Sequence, residues 1–317
     1  LKTSRVCILG GTGFVGRHLV ARLTAAGISC HVPSRHPQRH RELQVTGLAR
    51  LIPTNPFEPA DLERALDGCD AAINLIGILN EQGANDSFNR IHVELSDRLV
   101  DACRNSSVRR LLHMSALNAN ETNGPSRYLK SKGEAESRVH TLGGAQIQVT
   151  SFRPSVIFGP GDSFFNRFAS LLQTLPGPFP LACPNARFAP VYAGDVAEAL
   201  LRTLDDPHSR SRRYTLCGPR QFTLKQLVSY TADQLGLHKS IIELGDAASR
   251  LQARLLGMVP GKPFSYDNYL SLQVDSVCDD NGLTALGIVA TDVDVVVPYY
   301  LGGQAQRQRY QRLRRLA

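Results

Sequence analysis

Arg5-Val-Cys-Ile-Leu-Gly-Gly-Thr-Gly-Phe-Val-Gly16 places a short apolar run before glycines at 10, 11, 13 and 16, and then turns to the spacing Phe14, Val15, Leu19, Val20, Leu23. That order reads as strand, tight turn, helix. Gly10 permits the turn, and Gly13 lets the backbone approach a pyrophosphate. Gly16 lets the helix pack against the strand. The N–H groups around Thr12, Phe14 and Val15, with the partial positive charge of the helix start, suit phosphates. The stretch predicts a dinucleotide site.

Which dinucleotide depends on the end of the next strand, Ser29-Cys-His-Val-Pro33. An NAD site needs a carboxylate there for the ribose hydroxyls. No Asp or Glu occurs before Glu42; Ser34, Arg35, Arg39 and Arg41 follow the strand instead. A guanidinium pairs with a 2′-phosphate through two parallel hydrogen bonds and also stacks on adenine. The segment favours NADP(H) over NAD(H), the alternative being a solvated basic loop.

Working outward, strand-like segments fall at 5–9, 29–33, 49–53, 70–75, 109–114 and 147–152, with helical patterns near 14–26, 59–67, 86–105 and 126–141. Repeated βα units call for an α/β fold, a Rossmann-type doubly wound parallel sheet. Beyond about residue 155, Pro and Gly crowd 158–162 and 175–180, which read as loops. Helical patterns return at 163–173, 194–205 and 223–236, with a strand at 213–217. The division expected is a dinucleotide-binding domain over 1–160 plus about 191–220. Residues 161–190 and 221–317 would form a smaller C-terminal lobe for substrate or partner.

The 317 residues are 42% hydrophobic and carry a net charge of +8, enough for a substantial core. Seven cysteines without a CxxC or His/Cys ligand spacing predict reduced thiols and no metal site. No stretch reaches the length of a membrane-spanning helix and no signal peptide is visible, which predicts a cytoplasmic protein. From Gln304 onward the chain holds five arginines and no acid. That tail suits a contact with anionic lipid at the inner membrane face or with an acidic partner, the alternative being a frayed helix end in solvent. Nucleic acid is not expected, because no reading motif accompanies the charge. The segment 247–259 has apolar and basic residues at helical spacing; an ordinary lobe helix with its Leu/Met face inward is preferred to one lying on a bilayer.

The chemistry-bearing motif is Ser126-Arg-Tyr-Leu-Lys-Ser-Lys132. Tyr128 and Lys132, four apart, share a helical face. The ammonium lowers the phenol pKa, as proton exchange with an alcohol or carbonyl requires. Together with Gly10–Gly16, His113-Met-Ser115 and Arg153-Pro-Ser-Val-Ile-Phe-Gly-Pro-Gly-Asp162, this resembles the short-chain dehydrogenase/reductase superfamily in its extended or atypical branch. Phe165–Leu172, Pro190–Glu198 and Gly218–Leu227 resemble the family of accessory NAD(P)H-binding subunits of respiratory complex I and their bacterial relatives. The likeness runs from about residue 4 to about 300.

The resemblance implies that Gly10, Gly13 and Gly16 hold the pyrophosphate and Arg35 the 2′-phosphate. Asn74, Leu75 and Gly77 would line the adenosine side, Tyr128 and Lys132 would meet the nicotinamide ribose, and Pro154, Ser155 and Val156 would border the nicotinamide. Ser115 joins Tyr128 and Lys132 as a catalytic candidate. Arg167 and Arg187 face either a pocket or surface ion pairs. One departure stands out. Active members carry a Ser or Thr two residues beyond the first serine after the fifth strand, and here that position is Leu117. Two readings follow: a structural, regulatory or quinone-linked NADPH-binding protein with weak or no turnover, and an active NADP-dependent oxidoreductase or epimerase.

Overall fold

The computed structural model describes residues 2–302, so the basic tail from Gln304 lies outside the described residues. The chain divides into two compact units. The first holds the described residues through Pro154 with Ala193–Leu216 and Asp280–Ile288; the second holds Ser155–Tyr192, Cys217–Asp279 and the described residues from Val289 onward.

The strands in chain order are β1 (Arg5–Leu9), β2 (Ser29–Ser34), β3 (Ala49–Pro53), β4 (Ala71–Asn74), β5 (Arg110–Met114), β6 (Gln148–Pro154), β7 (Ile157–Phe158), β8 (Phe179–Leu181), β9 (Arg187–Phe188), β10 (Val191–Tyr192), β11 (Arg213–Leu216), β12 (Phe222–Thr223) and β13 (Ile241–Glu243). Seven build the first unit's sheet in the order β11-β6-β5-β4-β1-β2-β3, every pair parallel. Because the order reverses between β1 and β4, the connections that follow their C-terminal ends run to opposite faces of the sheet and leave room for a ligand.

Helices α1 (Phe14–Ala25), α2 (Pro59–Leu66), α3 (Leu95–Asn105) and α4 (Arg127–Gly143) connect these strands. They are followed by α5 (Phe165–Thr174), α6 (Ala193–Leu204), α7 (Leu224–Gln234), α8 (Asp246–Gly257), α9 (Tyr266–Ser271), α10 (Gly282–Ala285) and α11 (Val293–Val297). Strand alternation decides which face each helix covers. Cys7 and Leu9 of β1 and Leu111 of β5 join Leu62, Leu66, Leu99, Val100 and Val139 of α2, α3 and α4 in one core. Ile8, between Cys7 and Leu9, points to the opposite face, where α1 packs against α6.

Four details depart from the sequence reading. The expected helix over 86–105 is α3 preceded by a π-helical turn, Asn89–Glu94, which turns Ile91, His92 and Val93 inward. The Pro/Gly-rich segments expected as loops contain short strands: β7 pairs with β10, and β8 pairs with β13. Pro180 is tolerated in β8 because it faces out between buried Phe179 and Leu181. Asp280–Ile288 groups with the first unit, since Gly282 of α10 lies against Thr215 and Tyr214 of β11; a Cβ there would sit 2.8 Å from the Thr215 oxygen.

The fourth concerns the cysteines. Cys217 and Cys278 form a disulfide with their Cα atoms 6.0 Å apart, which corrects the expectation of reduced thiols throughout. The partners are 61 residues apart in sequence, so no local spacing marks the pair. Cys7, Cys30, Cys69, Cys103 and Cys183 are free.

The second unit has a largely aromatic core. Phe164 meets Phe165 and Phe168 edge-on, and Phe158 meets Phe165 the same way. Asp162 organises the turn before α5 by accepting from the N–H groups of Gly159, Phe164 and Asn166. Among the described residues, no helix is long and apolar enough to cross a membrane.

Candidate functional site

The glycine turn behaves as its spacing predicts. Gly10 has φ +81°, a left-handed conformation that favours glycine. Gly11 N–H donates to the Ile8 oxygen and Gly13 N–H to the Gly10 oxygen, which closes the turn. A Cβ on Gly16 would lie 2.2 Å from the Gly10 oxygen and 2.5 Å from Gly11 Cα, so α1 rests directly on the turn. A Cβ on Gly13 would meet only the Gly10 oxygen, at 3.2 Å; the protein leaves that side open. Helix α1 starts at Phe14 with no side-chain cap and no acid in its first turn. Such a start fits an anionic ligand.

Ser34 ends β2, and its hydroxyl accepts from His36 N–H. Arg35, Arg39 and Arg41 beyond it are exposed. Among the described residues, the ion pairs involve none of the three. The first acid after β2 is already engaged: Glu42 pairs with Arg17 at 3.0 Å, while Arg17 Nε donates to the Thr12 oxygen. The residues after β2 therefore fit a phosphate and offer no free carboxylate to a ribose.

Across the switch point, Leu75 N–H donates to the Leu9 oxygen, which ties the turn after β4 to β1. Asn74, 2% exposed, turns its side chain inward. It accepts from Ile76 N–H and reaches Ser96 and His113. Its role in the geometry is to hold the 75–77 turn. Gly77 lies against α4, where a Cβ would be 2.9 Å from Lys132 Nζ.

The third element is α4. Ser126 caps it by accepting from Leu129 N–H, which fixes the helix phase. Lys132 is 4% exposed and donates from Nζ to the Met114 oxygen at the end of β5. Burial lowers its pKa to about 8, against the opposing pull of Glu136 one turn on. Tyr128 is half-buried, with the rings of His92 and Phe88 5.7 Å and 6.0 Å from its own. Glu136, itself buried, is held by Arg153 at 2.7 Å and Arg213 at 2.6 Å. Burial alone would raise its pKa, but Arg153, with Ser115 and His113, holds it below the usual carboxylate range.

Sequence reasoning missed His92. Ile78 N–H donates to His92 Nε2 at 3.1 Å, so that nitrogen bears no proton. The proton is on Nδ1, which donates to Ser131 Oγ at 2.8 Å, and Ser131 in turn donates to the Tyr128 carbonyl. Burial and the Lys132 charge push the imidazole pKa down to about 2, consistent with a neutral ring. His92 thus ties the turn after β4 to the helix of Tyr128 and Lys132. The one local signal was its place between apolar Ile91 and Val93.

The remaining candidates fall as follows. Ser115 is 3% exposed, close enough to favour the Glu136 carboxylate but without a hydrogen bond of normal geometry. Leu117 is buried, its N–H donating to the Pro154 oxygen. Asn118 follows in a left-handed conformation, φ +62°. Pro154 ends β6. In the second unit, the Ser155 hydroxyl donates to the Ser276 oxygen at 2.6 Å and accepts from Ala189 N–H, while the Val156 oxygen accepts from Val191 N–H. Arg187 pairs with Asp275 at 2.8 Å, and Arg167 is exposed.

Comparison with known proteins agrees with this geometry. The chain is 28% identical over 295 residues to the mitochondrial NADH dehydrogenase (ubiquinone) 1 alpha subcomplex subunit 9 of Dictyostelium discoideum, covering 91% of this chain and 79% of that protein. Among solved structures, an NADPH-dependent quinone oxidoreductase of Escherichia coli complexed with NADPH superposes with a TM-score of 0.73 at 17% identity, covering 96% of this chain and 99% of that one. MoeE5 in complex with UDP-glucuronic acid and NAD gives a TM-score of 0.71 at 20% identity, covering 97% and 100%. These likenesses show the fold. The family is shown by residues 6–218, which run from β1 to just beyond β11 and match it: the chain is a nucleotide-binding, short-chain-dehydrogenase-like member of the NAD dependent epimerase/dehydratase family.

Proposed function

We propose that this chain holds NADPH, in preference to NADH, as a tightly retained group, and that its own turnover is slow or absent. The observation that carries the reading is the group of exposed arginines after β2, beside a Glu42 already engaged by Arg17. A 2′-phosphate facing Arg35 gains charge-assisted hydrogen bonds that a 2′-hydroxyl does not. Gly10, Thr12, Gly13, Phe14, Val15 and Gly16 would hold the pyrophosphate, Leu75 and Gly77 the adenosine side, and Tyr128 and Lys132 the nicotinamide ribose. Pro154, Ser155 and Val156 would border the nicotinamide.

NADPH supplies a hydride when bound; using it requires polarising a substrate carbonyl. Leu117 brings an apolar side chain where a hydroxyl donor would serve, and loss of such a donor costs about 2.7–4 kcal/mol in comparable sites. By analogy with the curated relative, the protein would serve a respiratory complex or quinone metabolism in a structural or regulatory role. It would be cytoplasmic and peripheral to the inner membrane face, with the arginines from Gln304 onward meeting an acidic partner or anionic lipid.

The test is purification without added nucleotide, identification of what is released, and titration with NADPH and NADH. NADPH should bind at least about tenfold more tightly, and its oxidation should barely rise with short-chain quinones or simple carbonyls. Equal affinities would refute the preference. Steady oxidation abolished by Tyr128→Phe would refute slow turnover and favour a second reading, an active NADP-dependent oxidoreductase or epimerase. That alternative draws on Lys132, whose buried ammonium lies one turn from Tyr128 and has its pKa lowered to about 8.

A further inference from the structure

Helix α8 turns its apolar stripe outward. Its buried residues are Ser249 and Ala253. Leu251 is 58% exposed, Leu255 53% and Met258 75%, with Val259 at 44%. The spacing of Leu251, Leu255 and Met258 puts them on one helical stripe. This reverses the expectation that the Leu/Met face packs into the lobe. The reason lies in the other side of the helix. Small Ser249 and Ala253 let α8 sit close to its own unit, and the Ser249 hydroxyl accepts from Cys183 N–H and reaches the Leu244 oxygen. With the close-packed side made of small residues, the large apolar ones are left facing solvent.

Charge decides what could cover them. From Ala247 to Pro263 the chain carries Arg250, Arg254 and Lys262 and no acid, and Arg250 pairs with Asp246 at the start of α8. Arg254 lies over the Tyr266 ring, its guanidinium carbon 5.5 Å from the centroid, and Tyr266 is itself 40% exposed. An apolar helical stripe flanked by cations and a half-exposed tyrosine has the chemistry of a helix lying in a lipid headgroup layer. A second copy would bring the same cations against these, on chains of net charge +8. The segment from Gln304 onward carries five arginines and no acid, so like charge disfavours it as the cover.

We propose that α8 and the residues after it, centred on Leu251, Leu255, Met258 and Val259, form a docking face for an anionic phospholipid surface. The face lies wholly within the second unit and goes beyond the dinucleotide reading without depending on it.

The experiment is flotation of the full chain with vesicles of mixed phosphatidylglycerol and phosphatidylcholine, against vesicles of phosphatidylcholine alone. It compares the native sequence, the triple variant Leu251→Gln/Leu255→Gln/Met258→Gln, the variant Arg254→Gln, and a chain ending at Gly302. All three substituted side chains in the triple variant are exposed, so its thermal unfolding should match the native chain, a control independent of nucleotide. The native chain and the shortened chain should both float with the mixed vesicles. The triple variant should partition about tenfold or more less strongly, and Arg254→Gln should lose part of the preference for the anionic vesicles. Equal flotation of native and triple variant would overturn the proposal, as would binding that vanishes only on shortening. Absence of native binding, or a concentration-dependent dimer that the triple variant abolishes, would overturn it as well.

Discussion

Beyond β2 the first unit presents Arg35, Arg39 and Arg41 to solvent. Around β4, β5 and α4 it encloses Lys132, His92, His113 and Glu136 almost completely. One end of the cleft keeps its charges solvated and free to meet a ligand. The other keeps its histidines neutral and its single ammonium weakened, so that burial rather than charge sets the chemistry. A solvated arginine loses little when its ligand is absent. A buried imidazole must be satisfied by the protein itself, and His92 is. On the proposed function, affinity and selectivity would belong to the open end, and rigidity to the closed one.

The comparison breaks most severely at the turn both ends share. Gly16→Ala puts a Cβ 2.2 Å from the Gly10 oxygen. It should abolish dinucleotide binding and cost about 3 kcal/mol in denaturant unfolding. A soluble variant with native affinity would show that α1 can move away from the turn.

At the closed end, His92→Ala strands the Ile78 N–H and leaves the Ser131 hydroxyl with the Tyr128 carbonyl alone. It should lower stability by about 2–3 kcal/mol and weaken dinucleotide binding through the 75–78 turn. Unchanged urea unfolding would refute the clamp.

The same end also sets the acid response. His140, its Nε2 3.0 Å from Ser151 Oγ, has its pKa lowered to about 4 by burial and by the Arg213 charge, while Glu136 pulls the other way. The unfolded chain takes up this proton near pH 6.5 and the folded chain only near 4. Between those values the unfolded state binds more protons, and stability falls as the solution is acidified. His92 and His113, lowered to about 2 and about 3, act in the same direction. His140→Gln should make the slope of unfolding free energy against pH shallower by about one proton over this window. An unchanged slope would mean that the ring is protonated in the fold.

The smallest effect belongs to the open end. Arg35→Ala should weaken NADPH binding about tenfold and leave NADH unchanged, with no change in thermal unfolding. Parallel losses for both dinucleotides would assign Arg35 to the adenine rather than the phosphate.

These contrasts also separate what was legible in the sequence from what was not. The glycine turn and the arginines after β2 are local: residue type and spacing within a dozen positions dictate their conformation and charge. The seven strands of the sheet read to within two residues at either end, because buried parallel strands are continuous apolar runs; the short strands of the second unit did not. Tyr128 and Lys132 are one helical turn apart and equally visible. His92 was not, since its partners are 14 and 39 residues away. Its turn is also π-helical, shifting the periodicity on which an α-helix is recognised. Leu251 and Leu255 have core composition, and only the fold reveals that Ser249 and Ala253 took the inner side.

The disulfide divides the chain in a way that strand order does not. Cys217 follows the last residue of β11, and Cys278 precedes Asp280, whose oxygen accepts from Thr215 in that same strand. The whole excursion from 217 to 278 therefore begins and ends at one covalent knot. A peptide bond cut inside it would leave both pieces attached. The disulfide closes residues 217–278 into one covalent loop, held at its ends whatever happens to the backbone within it.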